Sequence, residues 1–202
     1  LGWSFVISSR SFYDTDTKWL VAPAMMTLPF VQDIMRWTGC HSCSPPSMRS
    51  IMKTGCNIGL IPGGFQEATM FKRGKHRLFL KQKKGFIKYA LQYGYSIMPV
   101  YAFGEELTFW TVDLLPKSWA LWLNKFHIPT CIFVGKYLFM PDNDMDFNVV
   151  VGKVIELPKL DSPSSEDIDK YHALFLKGYQ DLFNKYKGKY ARDGEAAVLE
   201  IL

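Results

Sequence analysis

Apolar and polar positions follow one another along the chain in blocks of changing period, and each block carries its own punctuation. Ser44 before Pro45 and Pro46 predicts a helix N-cap with proline in the first turn. Met48, Ile51 and Met52 then recur at helical spacing, and Gly55 closes a short helix. Cys56 to Ile61 reads as a buried strand cut off by Pro62-Gly63-Gly64, a loop whose backbone can approach a ligand closely. Lys84 to Tyr93 carries Phe86, Ile87, Ala90 and Leu91 on one helical face, with Gly94 as its stop. Three runs rich in β-branched and aromatic residues predict strands: Ser96 to Phe103, with Pro99 inside it, Cys131 to Phe139, and Phe147 to Leu157. A long helix is expected from Ser164 or Ser165, with Ile168, Tyr171, Phe175, Leu182, Phe183 and Tyr186 as its stripe. Trp19 to Val31, broken by Pro23 and Pro29, is a core segment or one that dips into an interface, and Pro116 to Ile128 is an interfacial amphipathic element or a core helix. Strand, helix, strand with mostly apolar strands predicts an α/β fold, a mostly parallel sheet covered by helices. In such sheets ligands sit beyond the carboxyl ends of the strands, where Gly63 and Gly64 lie. No repeat interrupts the pattern, the one linker-like stretch is Met140 to Asp146, and a single domain over residues 1–202 is expected.

Composition narrows the class. A hydrophobic fraction of 48% over 202 residues supports a sizeable core and excludes a disordered chain. The net charge of +5 is a mild bias toward anionic partners, and an aromatic fraction of 15% points to large side chains facing lipid or a fatty ligand, with a merely aromatic core as the alternative. Four cysteines do not make a disulfide scaffold. Cys40 and Cys43 have the spacing of half a zinc site with no second pair to complete it, so ordinary thiols are expected. No run is long and apolar enough for a spanning helix, and no signal-peptide pattern is expected within these residues. The chain opens at Leu1 and runs at once into the apolar Trp3–Ile7, which leads us to expect a longer parent protein.

Among groups that carry chemistry, Glu67 stands out, three residues past the Gly-Gly turn. A glutamate there can orient a histidine or accept a proton from a hydroxyl, and the structural alternative is a first-turn helix glutamate. The glycines do not form a nucleotide loop, because Phe65 and Gln66 follow where Lys and Ser or Thr would be needed, and the Gly-x-Gly-x-x-Gly fingerprint is absent. From Lys72 to Lys88 stand eight basic residues, Lys72, Arg73, Lys75, Arg77, Lys81, Lys83, Lys84 and Lys88, and no acidic one. Interleaved with Leu78, Phe79, Leu80 and Phe86, they suit the phosphates of a nucleotide-like carrier or a leaflet of anionic headgroups. Nucleic acid fits less well, for want of an accompanying motif. None of His41, His76, His127 and His172 is paired at metal-ligand spacing, His172 is expected to be structural, and no Gly-x-Ser-x-Gly elbow exists.

Taken in order, four blocks resemble the type 2 diacylglycerol acyltransferase family, which includes monoacylglycerol and wax-alcohol acyltransferases. They are Gly63-Gly64-Phe65-Gln66-Glu67-Ala68; Lys84-Gly85-Phe86-Ile87-Lys88-Tyr89-Ala90-Leu91; Met98-Pro99-Val100-Tyr101-Ala102-Phe103-Gly104-Glu105; and Val149-Val150-Val151-Gly152 with Leu157-Pro158-Lys159-Leu160 and Asp169-Lys170-Tyr171-His172. The resemblance implies an endoplasmic-reticulum membrane enzyme with a cytosolic-facing domain, with the lipid-droplet surface as a further location. It implies transfer of a fatty acyl group from acyl-CoA, a co-substrate rather than a resident cofactor, to diacylglycerol or another lipid alcohol. It implies no metal and no nucleic-acid partner, and leaves a homo-oligomer open. Glu67 matches the family's supporting glutamate; Gly63, Gly64, Gly85, Pro99, Phe103 and Gly104 match positions around the substrates, and Lys72, Arg73, Lys75 and Lys84 would hold the CoA phosphates. The family's base is a histidine of a His-Pro-His-Gly motif. This motif is missing here and in family order would fall before Leu1, so the 202 residues alone are expected to be inactive. Cys43-Ser44-Pro45-Pro46 and Gly152-Lys153-Val154 also depart from the family's Pro-x-x-Arg and Gly-Glu-Pro. A non-catalytic, membrane-associated lipid-binding homologue is the alternative of another class.

Overall fold

A computed structural model describes residues 17–126, 130–137 and 146–202. The run Trp3–Ile7, His127 and Ile128, the end of the strand expected over 131–139, and linker residues 140–145 lie outside the described residues. Two compact units divide the chain, the first ending at Gly64 and the second beginning at Phe65.

In the first unit, β1 (Thr17–Val21) is the middle strand of a three-stranded parallel sheet between β2 (Cys40–Ser42) and β3 (Asn57–Leu60). The segment expected over 19–31 is therefore a strand end, a 3-10 turn at Pro23–Met26, and the start of helix α1 (Val31–Trp37). Pro23, without an N–H, is tolerated at the beginning of that turn. Gly59 lies opposite Trp19 in the β1–β3 register, and a Cβ on it would stand 2.4 Å from the indole, so the pairing requires glycine. Helix α2 (Pro45–Met52) begins with proline as expected and buries Met48 and Met52, one turn apart. The expected side-chain cap does not form: Ser44 bonds through its backbone, its carbonyl accepting from Met48 N at 2.9 Å and its N–H donating to Ser42 Oγ at 3.2 Å.

The second unit holds helices α3 (from Gly64 to Met70), α4 (Gly85–Tyr93), α5 (Lys117–Asn124) and α6 (Ser165–Tyr190). Its strands are β4 (His76–Leu78), β5 (Val100–Phe103), β6 (Trp110–Asp113), β7 (Cys131–Val134), β8 (Asn148–Val151) and β9 (Leu199–Ile201). The α/β class expected from the sequence is the one observed, with parallel pairing in the first unit and between β4 and β9. The pairs β5–β8 and β6–β7 are antiparallel, and the described strands form four separate sheets rather than one continuous sheet. Proline explains one of the breaks. Pro99 cannot donate to a ladder, so the run expected over 96–103 splits into a lone bridge from Ile97 to Ile155 and the strand β5, joined by Gly152 N donating to Pro99 O at 2.8 Å.

Helix α6 starts with a full capping box, Ser164 Oγ accepting from Asp167 N while the Asp167 carboxylate accepts from Ser164 N. Its buried face sets His172, Phe175, Leu182 and Phe183 into two adjoining apolar clusters. In one, Phe183 stacks on Phe103 at 5.4 Å and meets Tyr101 edge-on at 5.2 Å. In the other, Phe175 packs with Leu80, Ile87 and Leu91 of the α4 region. Helix α4 ends as its sequence demands, with Gly94 left-handed at φ 72°. His172 is structural, its Nε2 donating to the Leu80 carbonyl at 3.0 Å. No helix among the described residues is long and apolar enough to cross a membrane.

Candidate functional site

Glu67 lies in the first turn of α3, yet its carboxylate does not serve that helix's own amides. Oε2 accepts from Phe79 N at 3.0 Å, twelve residues on, tying α3 to the segment after β4. Burial raises its pKa above the ordinary 4.5, and the Phe79 N–H only partly offsets this. Beside it, Gln66 Oε1 accepts from Lys83 Nζ at 2.8 Å. Glu67 is thus a first-turn glutamate whose carboxyl group makes a long-range tie. Gly64 opens α3 at φ 57°, where glycine is favoured, and Gly63 is buried.

The basic run does not act as one surface. Arg73 donates to the Leu107 carbonyl and lies 4.4 Å over the Trp110 ring. Arg77 pairs with Glu200 at 2.7 Å, and Lys84 with Asp169 at 2.6 Å. Lys72, Lys75, Lys81 and Lys88 are exposed. Of the residues expected to hold phosphates, Lys72 and Lys75 have their ammonium groups in solvent, while Arg73 and Lys84 are engaged with the protein itself. Gly85 is exposed at the start of α4.

Pro99 and Phe103 are fully buried. Any influence they have on a substrate runs through the shape of β5 rather than through contact. Gly104 turns the chain at φ 91°, and a Cβ there would stand 2.3 Å from the Asp146 carbonyl oxygen. That turn lets Gly104 N donate to Glu106 Oε2 at 3.0 Å.

Two buried polar clusters carried no signal in the sequence. Glu106 Oε2 is 3.7 Å from His76 Nδ1, which shares a 2.9 Å hydrogen bond with Tyr101 OH, and the His76 and Tyr101 rings both lie against Phe183. Burial raises the Glu106 pKa, lowers that of His76 and lifts that of Tyr101 well above 10.0, in each case disfavouring the charged form. The second cluster joins Thr69 Oγ1 to Asn124 Oδ1 at 2.7 Å, with Asn124 Nδ2 donating to Thr130 Oγ1 at 3.1 Å. Lys117 Nζ closes it from outside, donating to the Thr69 carbonyl at 2.6 Å. Single polar residues in apolar stretches have no spacing rule that would reveal such partners. Cys40 and Cys56 are buried and Cys43 is exposed, and among the described residues no group of three or more His, Cys, Asp or Glu is placed to hold a metal ion.

Comparison with known proteins bears on the four sequence blocks together. The family model described as diacylglycerol acyltransferase matches residues 9–200. Human diacylglycerol O-acyltransferase 2 is 34% identical over 159 residues, 73% of this chain and 41% of the relative. The Dictyostelium discoideum protein of the same name is 32% identical over 189 residues, 86% of this chain and 56% of the relative. Mouse acyl-CoA wax alcohol acyltransferase 2 is 33% identical over 196 residues, 90% of this chain and 59% of the relative. The chain spans about half the length of the curated relatives it matches. No solved structure matches it. Because one family model accounts for nearly every residue from 9 to 200, with the Gly-Gly turn, Glu67 and the Pro99 strand all inside it, this chain belongs to the diacylglycerol acyltransferase family.

Proposed function

We propose that the protein carrying this chain is an acyl-CoA-dependent O-acyltransferase that makes triacylglycerol from diacylglycerol. The observation that carries this reading is the unbroken family match over residues 9–200. In the reaction the acceptor hydroxyl attacks the thioester carbonyl, the C–O bond forms as the C–S bond breaks, and the hydroxyl proton passes through a base to the departing CoA sulfur. No acyl-enzyme intervenes. The base is a histidine of a His-Pro-His-Gly segment outside these 202 residues, and Glu67 orients it through Oε1 while Oε2 holds the Phe79 amide. Lys72 and Lys75 take the CoA phosphates as point charges. The enzyme works at the cytosolic face of the endoplasmic reticulum, in contact with membrane lipid.

A second acceptor has its own support, since the wax-alcohol relative aligns with 90% of this chain and the human diacylglycerol relative with 73%. Microsomes from yeast devoid of triacylglycerol synthesis, expressing the complete reading frame, decide between acceptors. With labelled oleoyl-CoA and equal diacylglycerol, monoacylglycerol and hexadecanol, label in triacylglycerol is expected to dominate. Label mainly in wax ester would replace the acceptor, and no labelled ester of any kind would refute acyl transfer.

A further inference from the structure

The antiparallel β6–β7 pair and helix α5 in the connection between its strands both present exposed apolar side chains to solvent. In the antiparallel register Trp110 lies opposite Val134 and Val112 opposite Ile132, so these side chains share one face, while Thr111, Phe133, Cys131 and, at an exposed end, Asp113 share the other. The second face is turned into the unit: Phe133 meets Phe71 and Phe109 edge-on, and Cys131 Sγ donates to the Ala68 carbonyl. The first face is open, with Trp110 61% and Ile132 50% exposed. Leu114 and Leu115, both exposed, continue it into α5. There Ala120 and Asn124 are buried one turn apart, so Trp119 and Trp122, on the opposite side of the 100° helical wheel, project outward, and Phe126, exposed in the turn after the helix, meets Trp122 edge-on; Trp119 is 66% exposed.

Charge decides what covers this surface. From Trp110 to Tyr137 the sequence holds Lys117, Lys125 and Lys136 and a single acid, Asp113. Asp113 is already paired with Lys117 at 2.6 Å. Lysine is depleted from the centres of protein interfaces, whereas tryptophan beside lysine on an apolar face matches the boundary between headgroups and acyl chains. We propose that the outer face of the β6–β7 pair and the Trp119, Trp122 and Phe126 side chains at α5 dock together into the interface of an anionic lipid bilayer, as a lateral seat independent of any spanning segment. The inference rests on the membrane part of the proposed function, and it adds which residues meet the lipid.

Flotation of the 202-residue chain with vesicles tests it without turnover, so loss of acyl transfer and loss of docking are read separately. Vesicles of phosphatidylcholine with 30% phosphatidylserine, roughly the regime of an anionic leaflet, are expected to float the chain and shift its Trp emission to the blue, with weaker binding in high salt or without phosphatidylserine. The double variant W119S/W122S is expected to lose about tenfold in partitioning, and W37S, at an 84% exposed tryptophan of the first unit, is expected to bind like the parent. Quenching of the unmodified chain by brominated lipid supplies a measurement that does not depend on a variant folding. Equal flotation of W119S/W122S and parent, absence of quenching, or concentration-dependent self-association that W119S/W122S abolishes would each overturn the proposal, the last by making a second copy the occupant.

Discussion

Replacing Glu67 by Ala and by Gln separates an anchor from a participant in the reaction. The alanine variant leaves the Phe79 N–H without its acceptor, and since that amide is only partly buried the loss is about 1–2 kcal/mol, the lower part of the range for an orphaned donor. In a protein of this size each kcal/mol moves Tm by about 2–4 °C, so a fall of roughly 2–8 °C is expected for Glu67→Ala by differential scanning calorimetry. Glutamine keeps an acceptor for Phe79 and mimics the protonated carboxyl, so its Tm is expected to stay close to the parent's below pH 4.5 and to exceed it above the folded pKa. Burial raises the folded-state pKa of Glu67 above 4.5, so between that value and the raised one the folded chain binds more protons than the unfolded chain. The stabilisation of the protonated carboxyl is therefore complete below pH 4.5 and is lost as pH rises through the folded pKa, a slope that Glu67→Gln removes. In microsomes from the complete reading frame, both variants are expected to lose turnover by about tenfold or more if the carboxylate orients the base. Wild-type turnover in Glu67→Gln would refute the orienting role and leave Glu67 an anchor. An unchanged Tm in Glu67→Ala would refute the energetic argument itself.

Two other perturbations follow from the geometry. Gly104→Ala combines the left-handed backbone, a cost of about 1–2 kcal/mol, with a Cβ 2.3 Å from the Asp146 carbonyl, so urea denaturation is expected to give a loss above about 2 kcal/mol, and an unchanged midpoint would mean that the turn is not as described. Neutralising Lys72 and Lys75 together, both exposed, is expected to raise the apparent KM for acyl-CoA severalfold at unchanged Tm; a change confined to membrane attachment would remove the phosphate role.

Much of this molecule was legible because its signals are local. Proline at the start of α2, the left-handed Gly94 that stops α4, and Ser164 with Asp167 at the head of α6 each act within a turn of the residue that bears them, so the sequence alone determined those helices and their ends. The four blocks were equally legible, and the family match confirms the kinship they indicated. Strands were harder. β2, β4 and β9 have three residues each, too few to show a period of two, and β4 pairs with β9 across more than 100 positions, a choice made only when α6 brings the carboxyl end back. The same limit hid the site's wiring. Nothing near Glu67 in sequence names Phe79 as its partner, nothing in the basic run separates Lys72 from the engaged Arg73, and nothing marks His76, Tyr101 and Glu106 as one buried group. Caps and left-handed turns are fixed by sterics and hydrogen bonds within a few residues, whereas burial and charge pairing depend on which distant surfaces exclude water together, and only the folded chain decides that.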